Sequence, residues 1–247
     1  MDRPSQIGPP IENSSAIVLF SGGQDSTTVL AWALDRFERV ETVGFAYGQK
    51  HIVEMDQRPK VRDSLRRLSV AWDHRLGPDH VVQLDLINQI AANIPRVEKF
   101  GHDQGSFLGG RYIPGRNLMM LAMTASIALR RDIRVLACGA SETEYSGYPD
   151  CRRSSIDAIQ YAIRASAGLA FTIECPLMNL DKAGVWRLAE SLGGDALVQI
   201  VREQTHTCYS GDRSNLSDWG YGCGNCDACR LRQKGWIGFR GNTVQRA

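Results

Sequence analysis

Four cysteines near the C-terminus have a spacing that suits a metal ion. Fourteen residues separate Cys208 from Cys223, and Cys226 and Cys229 then complete a Cys-x2-Cys-x2-Cys run. Four thiolates on a glycine-containing turn can occupy the corners of a tetrahedron, and such a closed site stabilises a fold without leaving an open position for catalysis. We therefore predict a structural Zn2+ site here. An iron–sulfur cluster and ordinary core cysteines are the alternatives.

A second stretch with chemical potential, residues 21–28, follows the apolar run 16–20. The run suits a buried strand, the glycine pair suits a tight turn with exposed amides, and Ser26 and Thr27 can open a helix that begins near Val29. Backbone N–H groups at such a turn bind phosphate. The alternative is an ordinary Gly-Gly turn with a helix cap. The predicted nucleotide-binding residues are Phe20, Ser21, Gly22, Gly23, Gln24, Asp25, Ser26, Thr27 and Thr28.

The order of residues in this loop separates it from the common nucleotide-binding motifs. A Walker A loop needs a lysine before its Ser or Thr, and neither that lysine nor a dinucleotide fingerprint is present. The pattern Ser-Gly-Gly-x-Asp-Ser at 21–26 instead resembles the pyrophosphatase loop (PP-loop) of the N-type ATP pyrophosphatases. That resemblance implies an enzyme that uses ATP to adenylate an oxygen and releases pyrophosphate.

Strands and helices alternate through the chain after this loop. We predict strands at 16–20, 40–47, 81–87, 134–140 and 171–175, and helices at 29–37, 52–68, 118–130, 154–167 and 182–192. Such alternation is typical of a parallel sheet covered on both faces. The predicted fold class is therefore α/β, with a Rossmann-like parallel five-stranded sheet and a small C-terminal zinc-binding module. The predicted divisions are a flexible arm at 1–15, an ATP-binding domain at 16–203 and the zinc module at 204–247.

Composition excludes several classes of protein. The chain has 247 residues, a hydrophobic content of 43% and a formal charge of +2. No apolar run is long enough to span a membrane, and residues 1–15 are polar and proline-rich, so we expect a cytoplasmic protein without a signal peptide. The near-neutral charge argues against nucleic-acid partners. We predict that the basic run 58–67 and the cations Arg230, Arg232 and Lys234 form solvated surfaces.

Four further polar stretches, at 47–51, 114–117, 142–152 and 176–182, each lie past a predicted strand or open a helix. In parallel α/β sheets, ligands bind outside the carboxyl ends of the strands, so these stretches are candidates for one binding site. Each of them taken alone fits equally well a turn with local caps.

Together with the loop and the cysteines, these stretches resemble the QueC family of 7-cyano-7-deazaguanine synthases, which belongs to the PP-loop superfamily. The resemblance runs from about Ala16 to Leu231. It is carried by the segments 20–28, 47–49, 114–117, 146–152, 176–178, 181–182, 207–209 and 222–229.

The resemblance implies an adenine nucleotide alpha hydrolase-like fold and an ATP-dependent ligase of queuosine biosynthesis. Such an enzyme converts 7-carboxy-7-deazaguanine and ammonia to the nitrile (preQ0) through an adenylated acid and an adenylated amide. The family also implies Mg2+ beside ATP and a homodimer. Two alternatives stay open at this point: a PP-loop enzyme that adenylates another acceptor such as a tRNA base, and a non-catalytic nucleotide-binding zinc module.

Three residues are the candidates for catalysis. Asp25 can cap the helix or hold Mg2+ through water. Arg116 and Lys182 can contact phosphate or carboxylate, the first as a bidentate fork and the second as a point charge. A surface ion pair is the alternative for both cations.

Candidate substrate-binding residues follow from the chemistry of a guanine-like base. Tyr47 can stack on its ring, while Glu142, Tyr148 and Asp150 can accept hydrogen bonds from its amino and ring N–H groups. Cys151 could form a covalent thioimide if its thiol ionises beside an arginine, although a small buried cysteine explains it equally well.

Overall fold

A parallel five-stranded sheet carries the fold. The computed structural model describes residues 14–46, 53–84, 115–142 and 148–244. Within these residues the sheet has the order β3-β2-β1-β4-β5, and every neighbouring pair is parallel. Its strands are β1 (Ser15–Leu19), β2 (Arg39–Ala46), β3 (Leu76–Gln83), β4 (Val135–Ala137) and β5 (Thr172–Glu174). The predicted fold class is confirmed.

Helices connect the strands and cover both faces of the sheet. The described helices are α1 (Gln24–Arg36), α2 (Val53–Leu68), α3 (Val70–Arg75), α4 (Arg116–Arg130), α5 (Arg153–Ala167), α6 (Lys182–Gln204) and α7 (Asp227–Val244). A 3-10 turn at Pro149–Cys151 precedes α5, and the short antiparallel pair β6 (Leu216–Ser217) and β7 (Gly220–Tyr221) precedes α7. None of the helices in the described ranges is both long and apolar enough to cross a bilayer.

Alternation along β1 divides the core into two layers. Ala16 and Val18 face one layer, which also contains apolar side chains of α1, α2, α3, α6 and α7. Ile17 faces the other layer, which α4 and α5 complete. Because both faces of the central strand are covered, its sequence is a continuous apolar run and not an alternation of polar and apolar residues.

The third strand begins five residues earlier than the predicted 81–87. Pro78 lacks an N–H group, and the pairing of β2 with β3 jumps from Val40↔Leu76 to Thr42↔Asp79 at this point. An edge strand tolerates proline because only one of its sides must be hydrogen-bonded. Because glycine and proline are rare in strands, the sequence pattern did not predict the first part of β3.

Two helix boundaries also differ from the predictions. Helix α1 begins at Gln24 and not near Val29, because Gly23 adopts the extended backbone of an N-cap (φ −84°, ψ 174°). Helix α6 departs from helical geometry at Gly193 and Gly194, directly after the predicted end at residue 192, and a second helical stretch continues to Gln204.

The basic run in α2 is only in part the solvated surface that we predicted, because Lys60 and Arg67 are exposed but two of its arginines are buried. Arg58 is 1% exposed and Arg62 is 5% exposed. Arg58 forms an ion pair with Asp79 on β3, and its guanidinium lies 4.9 Å from the centroid of the Phe20 ring. Arg62 donates to the hydroxyl of Thr42 and to a backbone carbonyl at the start of β3. These two arginines fasten α2 to the sheet.

Arg232 of α7 is likewise buried and not solvated, with no exposed surface. Its guanidinium donates to the carbonyl oxygen of Val201 over 2.7 Å and to the hydroxyl of Thr207 over 3.1 Å. Burial lowers the pKa of Arg232 to about 10, so the side chain is still charged at neutral pH. Arg232 thus joins the last turn of α6 to the segment that leads into the cysteines.

Several predicted features lie outside the described residues. The arm at 1–15 does so except for Ser14 and Ser15, and Ser15 already belongs to β1. Tyr47 and its neighbours to residue 51, Pro114, and residues 143–147 also lie outside the described ranges.

Close packing of α7 on α6 gives a test of this arrangement. A methyl group on Gly235 would lie 2.8 Å from the carbonyl carbon of Lys182, and nearer still to its Cβ. Overpacking of this kind costs about 1–3 kcal/mol, so Gly235→Ala should lower the free energy of unfolding by that amount in urea denaturation.

The same helix supplies the control. A methyl group on Gly241 would meet nothing within 4 Å. Gly241→Ala should therefore leave stability unchanged or raise it by about 0.5–1 kcal/mol. Equal effects of the two substitutions would contradict the packing of α7 on Lys182.

Candidate active site and metal centre

The predicted nucleotide loop lies at the point where the direction of the chain across the sheet reverses. From β1 the chain runs outward through β2 and β3, and it returns to the other side of β1 with β4 and β5. Ligands bind in the crevice at such a switch point, beyond the carboxyl ends of the strands. The second residue after β4 packs closely on the loop, since a methyl group on Gly139 would lie 3.2 Å from the Cβ of Asp25.

Hydrogen bonds between serines and backbone fix the shape of the loop. The hydroxyl of Ser26 accepts from the amide of Ser21 over 3.2 Å and donates to the carbonyl oxygen of Gly23 over 3.2 Å. The hydroxyl of Ser21, which is exposed, accepts from the amide of Gly23 over 3.3 Å. The N–H groups in the first turn of α1 have no acceptor within the helix, so they present donors and a positive dipole to the crevice.

Only glycine fits at the tightest point of this turn. Gly22 has φ +90°, and a methyl group there would lie 2.6 Å from the carbonyl oxygen of Glu54 in the first turn of α2. On the other side, the amide of His206 donates to the carbonyl oxygen of Gly22 over 3.2 Å. The turn is therefore held between α2 and the segment that leads into the cysteines.

Asp25 and Lys182, both predicted catalytic residues, form an ion pair beside the loop. The Nζ atom of Lys182 donates to Oδ2 of Asp25 over 2.6 Å. The lysine side chain is only 5% exposed and lies at the first position of α6, where the helix dipole disfavours a cation. Asp25 lies in the first turn of α1, where the dipole favours an anion. The pair thus offsets the burial of the lysine.

Buried polar atoms without partners also lie at this helix start. Among the described residues, no hydrogen-bond partner is found for Oδ1 of Asp25, for either amide atom of Gln24 or for Oγ1 of Thr27. Such groups are costly to leave unsatisfied in a folded protein. Their concentration in one turn fits a polar ligand or a hydrated cation. Phe20 and Thr28 are fully buried, and Thr28 donates to the carbonyl oxygen of Gln24, so both support the loop from within.

Arg116 lies at the start of α4, in the turn that the predicted substrate residue Asp150 contacts. Gly115 precedes it with φ +75°, and the amide of Asn117 donates to Oδ2 of Asp150 over 3.0 Å. Oδ1 of Asp150 is buried and finds no partner among the described residues. One carboxylate oxygen of Asp150 thus holds the first turn of α4, and the other is available to a ligand.

The other predicted substrate residues are positioned by α5 and by the cysteine segment. Oε1 of Glu142 accepts from the backbone amide of Arg153 over 2.5 Å, so this carboxylate serves the first turn of α5. The hydroxyl of Tyr209 interacts with Tyr148, and burial, together with this contact, raises the pKa of Tyr209. The charge of Arg116 acts on the pKa of Tyr209 in the opposite direction, so the cysteine segment lies close to the start of α4.

Cys151 is poorly suited to act as a thiolate. Its sulfur accepts from Nδ2 of Asn117 over 3.2 Å. Burial raises the pKa of Cys151 to about 12, and the carboxylate of Asp150 acts in the same direction. The thiol is therefore protonated at neutral pH, which favours the interpretation of Cys151 as a packed side chain over that of a covalent nucleophile. Cys138 and Cys175, whose sulfurs are 3.4 Å apart, are buried in the core.

The four C-terminal cysteines converge on one point. The Sγ atoms of Cys208, Cys223, Cys226 and Cys229 all lie within 4.8 Å of one another. A tetrahedral ion with Zn–S bonds of about 2.3 Å needs sulfurs about 3.8 Å apart, so the cluster can close on an ion with little movement. Backbone amides of Asn225 and Cys226 donate to Cys223 and lower the pKa of its thiol to about 6. These four residues can hold a metal ion.

Sequence analysis did not single out Glu54, His206 or Tyr209. Glu54 and His206 meet the loop through their backbones, which side-chain chemistry does not reveal. One feature of the sequence could have indicated His206 and Tyr209, because they lie on either side of Cys208. This first cysteine of the cluster comes shortly after the last apolar helix that packs on the sheet.

Comparisons with known proteins agree with this geometry. Residues 15–240 match the family model described as queuosine biosynthesis protein QueC. The chain is 50% identical over 223 residues to the 7-cyano-7-deazaguanine synthase of Hyphomonas neptunium, which covers 90% of this chain and 93% of that protein. It is also 50% identical over 226 residues to the synthase of Paraburkholderia phymatum, covering 92% of this chain and 93% of that protein.

A solved structure shares the fold at much lower sequence identity. The crystal structure of a 4-thiouridine synthetase in complex with RNA and bound ATP superposes with a TM-score of 0.51 at 15% identity. The match covers 94% of this chain but only 52% of that one. This likeness concerns the fold alone. The match to the family model, by contrast, covers residues 15–240 and is accompanied by 50% identity to curated relatives. The chain therefore belongs to the QueC family of queuosine biosynthesis proteins.

Proposed function

We propose that the protein is an ATP-dependent ligase that converts 7-carboxy-7-deazaguanine and ammonia to 7-cyano-7-deazaguanine. The observation that carries this proposal is the 50% identity to 7-cyano-7-deazaguanine synthases over 90% of the chain. The PP-loop at a sheet switch point, with a buried lysine and a carboxylate beside it, supplies the groups that adenylation needs.

The chemistry explains why ATP is used. A carboxylate is a poor acceptor for ammonia, because hydroxide would have to leave. Transfer of AMP to a carboxylate oxygen creates a good leaving group, and ammonia then displaces it to give the amide. A second adenylation, at the amide oxygen, allows elimination of AMP to the nitrile. Negative charge develops on phosphate oxygens in both adenylations, where preorganised donors are each worth several kcal/mol, about 3–4 for a single well-placed donor.

In this proposal, the first turn of α1 and the exposed hydroxyl of Ser21 bind the phosphates. Lys182 shifts its contact between Asp25 and the phosphate oxygens as charge develops there. Arg116, at the start of the neighbouring helix α4, binds the carboxylate or the α-phosphate. Asp150 offers Oδ1 to an N–H group of the base, and its rigid hold on α4 positions Arg116 at the same time.

Mg2+ fits beside Asp25. The Oδ1 atom of this carboxylate is buried without a partner among the described residues, and Mg2+ prefers one or two carboxylates together with phosphates and water. We assign Asp25 as the residue that holds the ion, directly or through water. When bound, the ion supplies positive charge to the phosphate oxygens of ATP.

We further propose that the ion at the four cysteines is Zn2+ and that it is structural. Four thiolates leave no open coordination position, and the cluster packs among Trp219 and Trp236. In this proposal the chain consists of the sheet domain at 16–203 and the zinc module at 204–247, and the module supports the nucleotide loop through His206. A homodimer, a cytoplasmic location and the lack of a nucleic-acid partner stay predictions from the sequence.

The function is tested by incubating the protein with 7-carboxy-7-deazaguanine, ATP, Mg2+ and ammonium, and by following the small molecules by mass spectrometry. We expect the nitrile together with two AMP per nitrile, and the amide as a transient species. Consumption of ATP only when the deazaguanine acid is replaced by a tRNA would instead favour the alternative acceptor. Absence of any ATP turnover would favour a nucleotide-binding module.

Substitution of Lys182 tests the role of the ion pair. Lys182→Met should lower kcat/KM for ATP by about 100-fold or more, because one donor to developing phosphate charge is lost. The matched control is Lys234→Met, since Lys234 is exposed on α7. Pyrophosphate release at the wild-type rate by folded Lys182→Met protein would exclude Lys182 from phosphate binding.

Metal removal tests the link between the cysteines and the nucleotide loop. Cys226→Ser should lose the one bound Zn2+ per chain in elemental analysis and lower Tm by about 10 °C or more. ATP binding should weaken as well, because the segment from His206 to Cys208 contacts Gly22. Cys175→Ser, outside the cluster, should keep its zinc. Unchanged zinc content in Cys226→Ser would contradict the assignment.

A further inference from the structure

Conversion of ammonia to a nitrile nitrogen removes three N–H protons, and the proposed function alone does not say which group accepts them. Attack of ammonia on the acyl adenylate forms the C–N bond, expels AMP by breaking its C–O bond and leaves one proton to be removed from nitrogen. After adenylation of the amide oxygen, two more N–H protons leave as the C–O bond to AMP breaks and the nitrile forms. A proton acceptor beside the nitrogen serves every one of these steps.

Most carboxylates around the crevice already have partners. Asp25 is held by Lys182, and Oδ2 of Asp150 accepts from the amide of Asn117. Glu142 accepts from the amide at the start of α5. No hydrogen bond to the carboxylate of Glu54 is found among the residues that the structure describes.

Glu54 lies where the loop and the substrate end of the crevice meet. Its carbonyl oxygen packs on Gly22, at the turn that we assign to the phosphates. Its side chain is within electrostatic range of Arg116, which begins the helix held by Asp150. Glu54 therefore contacts the adenylating loop through its backbone, and its carboxylate lies close enough to Arg116 for that charge to act on it.

We propose that the Glu54 carboxylate is a further catalytic residue, which accepts the protons released from the ammonia nitrogen as the amide and then the nitrile form. This inference rests on the proposed function. In each step the N–H bond breaks, its electron pair stays on nitrogen and the proton moves to a carboxylate oxygen. Between steps the carboxyl group releases its proton to bulk water, which restores the carboxylate.

The electrostatics of the position suit an acceptor at neutral pH. Burial raises the pKa of Glu54 to about 7, and the charge of Arg116 opposes this shift only in part. Arg58, which lies on the same helix as Glu54 and also approaches the loop, forms its ion pair with Asp79 on β3. A carboxylate with a pKa near the working pH is a stronger base than an ordinary one and is still about half ionised at pH 7.

The experiment separates adenylation from ammonia transfer in Glu54→Gln. Exchange of labelled pyrophosphate into ATP, with 7-carboxy-7-deazaguanine and without ammonium, reports the first adenylation. Formation of amide and nitrile at saturating ammonium reports the proton-dependent steps. We expect exchange within about 3-fold of wild type and amide formation lowered by about 100-fold, the range of one general base. Asp56→Asn, an exposed residue of the same helix, is the matched control and should leave both rates unchanged.

Two further readouts exclude a merely structural role. In wild type, amide formation should rise with pH through about 7, as Glu54 ionises, and Glu54→Gln should lack this limb. Hydroxylamine, whose attack leaves a more acidic nitrogen, should lose far less rate in Glu54→Gln than ammonia does. Equal losses in exchange and in amide formation would instead assign Glu54 to the positioning of Arg116 and overturn the proposal, as would unchanged amide formation.

A stability measurement tests the ionisation without turnover. The pKa of Glu54 in the folded protein lies above its ordinary 4.5, so protonation favours folding, and this contribution is lost as the pH rises from about 4.5 to 7. The Tm of wild type should therefore fall relative to that of Glu54→Gln as the pH rises from about 4.5 to 7. An equal pH dependence of the two Tm values would contradict a raised pKa of Glu54. Absence of exchange in wild type would reject the proposed function itself, whereas normal wild-type exchange with unchanged Glu54→Gln rejects only this inference.

Discussion

The Gly22–Gly23 turn is the constraint on which the rest of the site depends. In the proposed function it exposes backbone amides to a phosphate on one side, while two other elements close on it from behind. The carbonyl of Glu54 and the amide of His206 both approach within contact distance of Gly22, which leaves no room for a side chain. The hydroxyls of Ser21 and Ser26 fix the shape of the turn from within, and α2 and the segment that leads to the cysteines hold it from behind.

This dependence explains the unusual burial of charge in the protein. Arg58 and Arg62 hold α2 on the sheet, and α2 in turn presents Glu54 to the turn. Arg232 holds the last turn of α6 against the segment of His206 and Thr207. Buried arginines with backbone and carboxylate partners give fixed geometry more than stability, since their desolvation is costly. Here they fix the position of the elements that close on the loop.

Sequence patterns predicted the structure correctly where the environment of a residue depends on its near neighbours in the chain. The apolar run of β1, the glycine turn and the amphipathic α4 and α5 were each predicted within a few residues. The spacing of the four cysteines predicted a cluster that the structure brings together. The edge strand β3 was misplaced because its first half contains glycine and proline, while its alternation starts only at Val81.

Patterns failed where the partner of a residue lies far away in the chain. The residues near Arg58 in the sequence do not indicate its ion pair with Asp79, and those near Arg232 do not indicate its hydrogen bond to a carbonyl of α6. Both arginines were therefore predicted to be surface cations. Helix α7 was not predicted because Gly235, Gly238 and Gly241 disrupt its apolar period. Gly235 is nevertheless required at its position, since it lies against Lys182.

The contact of Gly235 with Lys182 has a consequence for how the protein is made. Asp25 and Lys182 are separated by 157 positions in the chain, and α7, which covers the lysine, is synthesised after all the other described elements. On the ribosome, the nucleotide loop therefore emerges long before the helix that fixes its lysine. In that interval the Gly22–Gly23 turn, Asp25 and Lys182 have all been synthesised, but α7 does not yet cover the lysine.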